Sequence, residues 1–232
     1  MKIQAPKYTS ITPLIGELHW DLKPSDSLLE LQLGWMDWLQ KELGNEIQEV
    51  RQGFTAIGIR WKNEAAQKKF AGNYMSMHVK PSTLSERIWE VPVCYESNYG
   101  TDLGNLALEK HMRVNDLIEL HSGTLYRIHF FGFLPGFMYL NGLPEELHTP
   151  RKAVPDRSVY PGSVGIGGSQ TGIYPNQTPG GWQKLGRTPV QLFEPGQDPP
   201  VWASIGDQIQ FVRISAEEMN ELLENPSLPS SR

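Results

Sequence analysis

Arg151, Gln170, Thr171, Arg187 and His121 are the side chains of this sequence with the clearest chemical capacity. The two arginines are permanent cations whose planar forks match a carboxylate or a phosphate. Gln170 offers both a donor and an acceptor, as recognition of an amide requires. Thr171 and Tyr174 add hydroxyls, and a histidine such as His121 can carry a proton near neutral pH. Phe133, Phe137, Tyr139 and Trp182 come from the same part of the chain and supply aromatic surface for the walls of a pocket. Glycines at 165, 167, 168 and 172 would let backbone amides approach a ligand or its oxyanion. The set suits a small, anionic, amide-containing molecule better than a polymer. Plainer roles stand beside these: each arginine in a surface ion pair, His121 as the last-turn partner of a helix dipole, and GGSQTG as a corner where only glycine fits.

The stretch that must position most of these residues is Gly132 to Pro189. It holds half of the chain's 22 glycines and eight of its 18 prolines. Glycine and proline at that density rule out long helices, while the interleaved aromatics exclude a flexible linker. Ordered loops between short strands are the expectation, and loops on a rigid scaffold commonly carry function.

Composition narrows the classes. A net charge of -5 leaves no basic footprint for nucleic acid, and no apolar run is long enough for a membrane span. Met1 to Ser10 lacks the apolar core of a secretory signal, so the cytoplasm is expected. The lone Cys94 excludes an intrachain disulfide, and its strand-like surroundings in WEVPVCYE fit a buried inert thiol. The six histidines show no metal-ligand spacing, so no metal is expected. Neither a Ser-His-Asp order nor a GxSxG elbow is present, and GGSQTG lacks the lysine of a phosphate-binding P-loop.

Along the chain, residues 1–10 read as a loose lead-in and Ile11 to Trp20 as one strand with His19 on its solvent side. Ser27 and Glu30 have capping-box spacing ahead of a helix that Gly44 stops. Strands follow over Ile47 to Arg51 and Phe54 to Trp61, then a helix from an Asn63 cap to Gly72. With a further strand near Arg87 to Tyr95, this order predicts a small ferredoxin-like α/β layer. The polar run GNYMSMHVKPSTLSE marks a boundary. Beyond it come a strand at Ile88 to Glu96, where Pro92 implies an edge or bulge, and two short helices. Asp102 caps the first, and His121-Ser122-Gly123 ends the second with side chains facing outward. Strands at Thr124 to Phe133, PVQLFEP and SIGDQIQFVRI predict a closed or nearly closed β-structure. Ser215 and Glu218 open a terminal helix, and NPSLPSSR should fray. The fold class is therefore α+β, with an N-terminal domain at 1–84, a β-domain at 85–215 carrying the site, and a helix and tail at 216–232.

GFLPGFMYLNGL, TPR, PGSVGIGGSQTGIYP and PGGWQKLGRTP resemble, in order, the signature blocks of the 5-oxoprolinase B-subunit family. That family, of carboxyltransferase subdomains C and D, also includes the sporulation-kinase inhibitor KipI and proteins labelled allophanate hydrolase subunit 1. The resemblance implies a cyclophilin-like barrel and an ATP-dependent opening of 5-oxoproline to L-glutamate. It further implies C-type and A-type partner subunits, with ATP largely on another subunit. KipI-like binding of a histidine kinase and hydrolysis of allophanate are the alternatives. HSG is also a family block, which makes His121 a site candidate. On this basis Arg151 would neutralise a carboxylate or transferred phosphate, Gln170 and Thr171 would orient the ring amide, and His121 would shuttle a proton. Phe133, Phe137, Tyr139, Tyr174, Trp182 and Arg187 would bind substrate. Met138, Asn141 and Ser169 depart from the usual family wording, with an expected effect on substrate size.

Overall fold

The computed structural model describes residues 5–232, and the chain divides into two compact units, Met1–Leu84 and Ser85–Arg232. The first unit is an antiparallel sheet with two helices. Its strands are β1 (Lys7–Thr12), β2 (Ile15–His19), β3 (Ile47–Gln52) and β4 (Ala56–Trp61), in the order β1-β2-β4-β3. Helices α1 (Asp26–Leu43) and α2 (Glu64–Asn73) complete it. Because β4 lies between β2 and β3, the unit contains a split β-α-β. Period-2 alternation puts Leu18, Ile57, Ile59 and Trp61 in the core with Leu28, Trp35, Leu39 and Phe70.

Four expectations for this unit change. Residues 1–4 of the lead-in lie outside the described residues, but Lys7–Thr12 pairs with β2. The single strand over Ile11 to Trp20 is broken at Pro13-Leu14, where the Thr12 hydroxyl accepts from Leu14 N (3.3 Å) and Ile15 N (3.1 Å) and closes a tight turn. The fourth strand of the layer is thus β1, and the strand near Arg87 belongs to the second unit. Helix α1 starts earlier than the Ser27 box implies: Ser25 is its cap and accepts from Leu28 N. Asn63 caps α2 as expected, with its Oδ1 2.9 Å from Ala66 N.

The second unit is built on β5 (Ile88–Cys94), β6 (Leu125–Phe131), β7 (Met138–Asn141), β8 (Asp156–Val159), β9 (Ser163–Gly167), β10 (Gln170–Ile173), β11 (Thr178–Gly180), β12 (Gln183–Arg187), β13 (Gln208–Ile214) and β14 (Ser230–Ser231). Helices α3 (Leu103–Glu109), α4 (Val114–Ser122) and α5 (Ala216–Glu224) accompany them. Strands β12-β9-β10-β7-β6-β13-β5 close on themselves through Arg187 and Cys94, giving a seven-stranded barrel. The β13–β5 pair is parallel and the other barrel pairs are antiparallel. β8 and β11 form a separate two-stranded ribbon. The α+β class with a closed barrel therefore holds.

Inside the barrel, Val91, Val93, Tyr126, Ile128, Leu140, Val164, Ile166, Leu185, Ile209 and Phe211 form one core with Leu103, Leu106, Leu117 and Ile118 of α3 and α4. Cys94 is buried, and burial raises its thiol pKa, as befits an inert side chain. Pro92 lies opposite Val212, in the gap between the points where β14 and β12 meet β5. PVQLFEP forms no strand: Val190 N is taken by the Thr188 hydroxyl, and the Gln191 carbonyl by the Trp202 indole. Ser215 and Glu218 complete their reciprocal cap. The tail does not fray, because Ser230 and Ser231 pair with Glu90 and Trp89.

Candidate functional site

Residues spread along the glycine-proline stretch build a cavity of about 260 Å³. The β6–β7 loop contributes Phe133 and Phe137, β7 contributes Tyr139, and the segment after β10 contributes Tyr174. The β11–β12 connection brings Gly181 and Trp182, and the loop before β8 brings Arg151. The rings pack edge to face: Phe137 lies 5.3 Å from Tyr174 at 87° and 5.4 Å from Trp182 at 85°. Phe133 is the exposed member, at 59%, with φ of +64°. A left-handed conformation is unfavourable for a bulky aromatic and is held here by local bonds, Leu134 N to Gly132 O (2.7 Å) and Phe137 N to Leu134 O (3.0 Å).

Gly167 and Gly172 serve this packing, whereas Gly168, with φ of +68°, has open space at its Cβ position. A Cβ at Gly167 would lie 2.5 Å from the Trp182 indole nitrogen, and one at Gly172 would lie 2.8 Å from the Met138 carbonyl and 3.1 Å from Trp182. The blocks also meet through the backbone. Thr149 of TPR exchanges hydrogen bonds of 3.0 and 2.7 Å with Gly168, and Lys152 N donates to Gly181 O at 2.7 Å.

Arg151 is exposed, and its guanidinium carbon stands 5.8 Å from the Trp182 ring centroid. Among the described residues it forms no ion pair, which leaves its charge for an anion at the cavity. Burial raises the pKa of both Tyr139 and Tyr174, so each stays a phenol. The Tyr174 oxygen accepts from the Trp182 backbone and retains its own proton to donate.

His121 and Thr171 do not reach this cavity. The α4 face that buries Leu117 and Ile118 also buries His121, at i+4 and i+3, and the imidazole is 0% exposed. It stacks on Phe211 with centroids 4.9 Å apart. Its Nε2 is 3.0 Å from Thr171 Oγ1, and its Nδ1 is 2.9 Å from the Tyr95 hydroxyl. Because the Thr171 hydroxyl donates to Gly165 O at 3.0 Å, it accepts from Nε2–H, and Tyr95 donates to Nδ1. Burial lowers the imidazole pKa to about 3. The expected outward-facing proton shuttle is thus a neutral core histidine.

Gln170 and Thr171 cannot share one ligand group, because neighbours in a strand face opposite sides. Thr171 points into the barrel and is fully buried, while Gln170 is half-buried on the other face and does not line the cavity. Arg187 is also elsewhere: its Nε donates to Pro161 O at 2.7 Å, and it lines a second recess beside Tyr160. The predicted single cup therefore resolves into an aromatic cavity with Arg151, a buried relay at His121, and a separate arginine recess. Met138, Asn141 and Ser169, which depart from the family wording, do not line the cavity.

Residues 15–203 match the model of the carboxyltransferase domain, subdomain C and D, over most of the chain. The chain belongs to this family. Two curated relatives are each named as the B subunit of 5-oxoprolinase. The Escherichia coli O157:H7 protein is 49% identical over 126 residues, 54% of this chain and 58% of its own length. The Bacillus subtilis (strain 168) protein is 43% identical over 135 residues, 58% of this chain and 56% of its own. The chain thus spans just over half the length of the curated relatives it matches. The crystal structure of K. lactis urea amidolyase shares the fold, with a TM-score of 0.81 and 18% identity over 98% of this chain and 16% of that one.

Beside the family blocks lies a group that the sequence did not signal. Lys152 reaches Asp102 and Asp156 at 2.7 Å each, and Lys184 reaches Asp156 at 2.7 Å. Burial opposes the Lys152 charge, but hydrogen bonds to both aspartates outweigh it and raise its pKa. Burial likewise opposes the Asp156 charge, and the two lysines overcome it and lower its pKa. Asp102 was expected to cap α3; its carboxylate instead accepts from Lys184 N at 2.8 Å. This square of alternating charges pins the segment that carries Arg151. Its members are scattered from 102 to 184, so no local spacing points to it. Tyr95, partner of His121, carried no signal either.

Proposed function

We propose that this chain is a B-type subunit of an ATP-dependent enzyme that opens 5-oxoproline to L-glutamate, and that the aromatic cavity holds the lactam. The observation that carries this reading is Arg151: a guanidinium with no ion pair among the described residues, beside a small aromatic cavity, matches a compact ring bearing one carboxylate. A volume of about 260 Å³ suits a metabolite, since drug-sized ligands occupy roughly 300–1,000 Å³. The relatives' name supports the same substrate.

In this reading Arg151 fixes the carboxylate, Phe137 and Trp182 pack the ring, and the Tyr174 hydroxyl donates to the lactam oxygen. The overall change adds water: the ring C–N bond breaks, the nitrogen takes both protons of the water to become an ammonium, and the water oxygen completes a second carboxylate. A lactam is a poor electrophile, which is why the reaction needs coupling to ATP. This chain has no P-loop, and its aromatic cavity is too small for a nucleotide, so ATP is assigned to another subunit and no step here runs through it. His121 and Thr171 act as positioning residues that hold β10 from within.

The test is reconstitution with C-type and A-type partner subunits, with ATP-dependent glutamate release as the readout. Arg151→Gln should lower kcat/KM by about 1.5–3 kcal/mol, roughly 10- to 150-fold, as expected for losing a hydrogen bond to a charged group. Absence of turnover by the assembled wild-type complex would overturn the substrate assignment. Turnover unaffected by Arg151→Gln would overturn the site.

A further inference from the structure

Arg187, Lys184, Asn98, Thr101, Ser158 and Tyr160 contribute to a second recess of about 220 Å³, distinct from the aromatic cavity. Among the described residues no carboxylate lines it, although Asp156 lies behind it on Lys184 and the chain as a whole carries a net charge of -5. Arg187 is held in place before any ligand arrives. Its Nε donates to Pro161 O at 2.7 Å and its guanidinium lies 5.8 Å from the Tyr160 ring centroid. That seat is rigid: Gly162 has φ of +81° and a Cβ there would lie 2.2 Å from Thr188 O. Ser163 N to Tyr160 O (3.1 Å) and Thr188 N to Gly162 O (2.9 Å) brace the same turn. Among the described residues Arg187 makes no ion pair, so its charge is not already spent on a carboxylate. Ser158 accepts from Gln177 at 2.7 Å and keeps its own proton to donate. Asn98 and Thr101 add neutral donors from the chain after β5, while the Lys184 ammonium at the edge of the recess is already paired with Asp156 at 2.7 Å, so Arg187 carries the free charge.

We infer that this recess binds a tetrahedral oxyanion, inorganic phosphate or a terminal phosphoryl group, with Arg187 as its principal partner. Donors converge on it from β8, β12 and the chain after β5, an arrangement that suits tetrahedral oxygens better than a planar carboxylate. The inference does not depend on the lactam assignment, since the two recesses are lined by different residues.

Calorimetric titration of the full chain with inorganic phosphate at constant ionic strength tests it, with ADP and acetate as comparisons. The expected result is saturable phosphate binding that Arg187→Gln weakens by about tenfold or more. Ser158→Ala, at an exposed position where truncation leaves the fold intact, should weaken it by a few-fold, and Arg151→Gln should leave it unchanged. ADP binding no tighter than phosphate identifies the free ion as occupant; tighter ADP binding with the same Arg187 dependence identifies a phosphoryl end. Either supports the site. Absence of saturable binding, affinity indifferent to both Arg187→Gln and Ser158→Ala, loss in Arg151→Gln instead, or acetate binding as tight as phosphate would overturn it.

Discussion

Acidification from about pH 7 to about pH 5 should remove about 2 kcal/mol of stability through His121 alone. The imidazole is fully buried, and burial lowers its pKa from 6.5 to about 3. In the unfolded chain the ring takes up a proton near its ordinary value; in the folded chain it stays neutral until the pH nears 3. Between those limits the unfolded state binds more protons, so stability falls as pH falls. This contribution is complete above about pH 6.5 and is lost progressively towards pH 3. A unit of pKa shift corresponds to about 1.4 kcal/mol, and integration over the two pH units gives about 2 kcal/mol. Urea unfolding of wild type and His121→Phe at both pH values isolates the effect from the surface carboxylates. Phenylalanine can keep the stack on Phe211. Wild type should lose about 2 kcal/mol more than the variant. Equal losses, or a His121 resonance that titrates near its ordinary pKa in the folded protein, would refute the neutral buried imidazole.

Two further perturbations probe the packing around the site. Thr171→Val keeps the side-chain shape but leaves His121 Nε2–H without an acceptor and removes a donor from Gly165 O; the expected loss is about 2–4 kcal/mol in denaturant unfolding, and Thr171→Ser should restore most of it. Gly172→Ala drives a Cβ to 2.8 Å from Met138 O and 3.1 Å from Trp182; it should cost about 1–3 kcal/mol in thermal unfolding and shift the tryptophan emission.

Local chemistry was legible where it decided the outcome. Asn63 and the Ser215–Glu218 box cap their helices by contacts within one turn. Alternation placed Ile57, Ile59 and Trp61 inside because β4 has one buried face. The four motif blocks identified the family, and the aromatics they carry do share one cavity. The features that were not legible depend on partners distant in sequence. The tail becomes ordered only because β5 presents an open edge 140 residues away from Ser230, where Glu90 lies. His121 turns inward because α4 packs on the barrel, although its i+3 and i+4 spacing from Ile118 and Leu117 was visible beforehand. The Gln170-Thr171 pair could have been separated by strand periodicity alone. Arg151 and Arg187 are alike in sequence, and only the barrel assigns them to different recesses.

The central claim is that the aromatic cavity at Arg151 takes the small anionic lactam. Titration of isotopically labelled chain with 5-oxoproline, in the presence of the proposed partner subunits and followed at the Trp182 indole N–H, tests it most directly. A saturable shift at Trp182 that disappears in Arg151→Gln and persists in Arg187→Gln is the predicted result. An unperturbed Trp182 at saturating 5-oxoproline, in a complex that turns the substrate over, would contradict it.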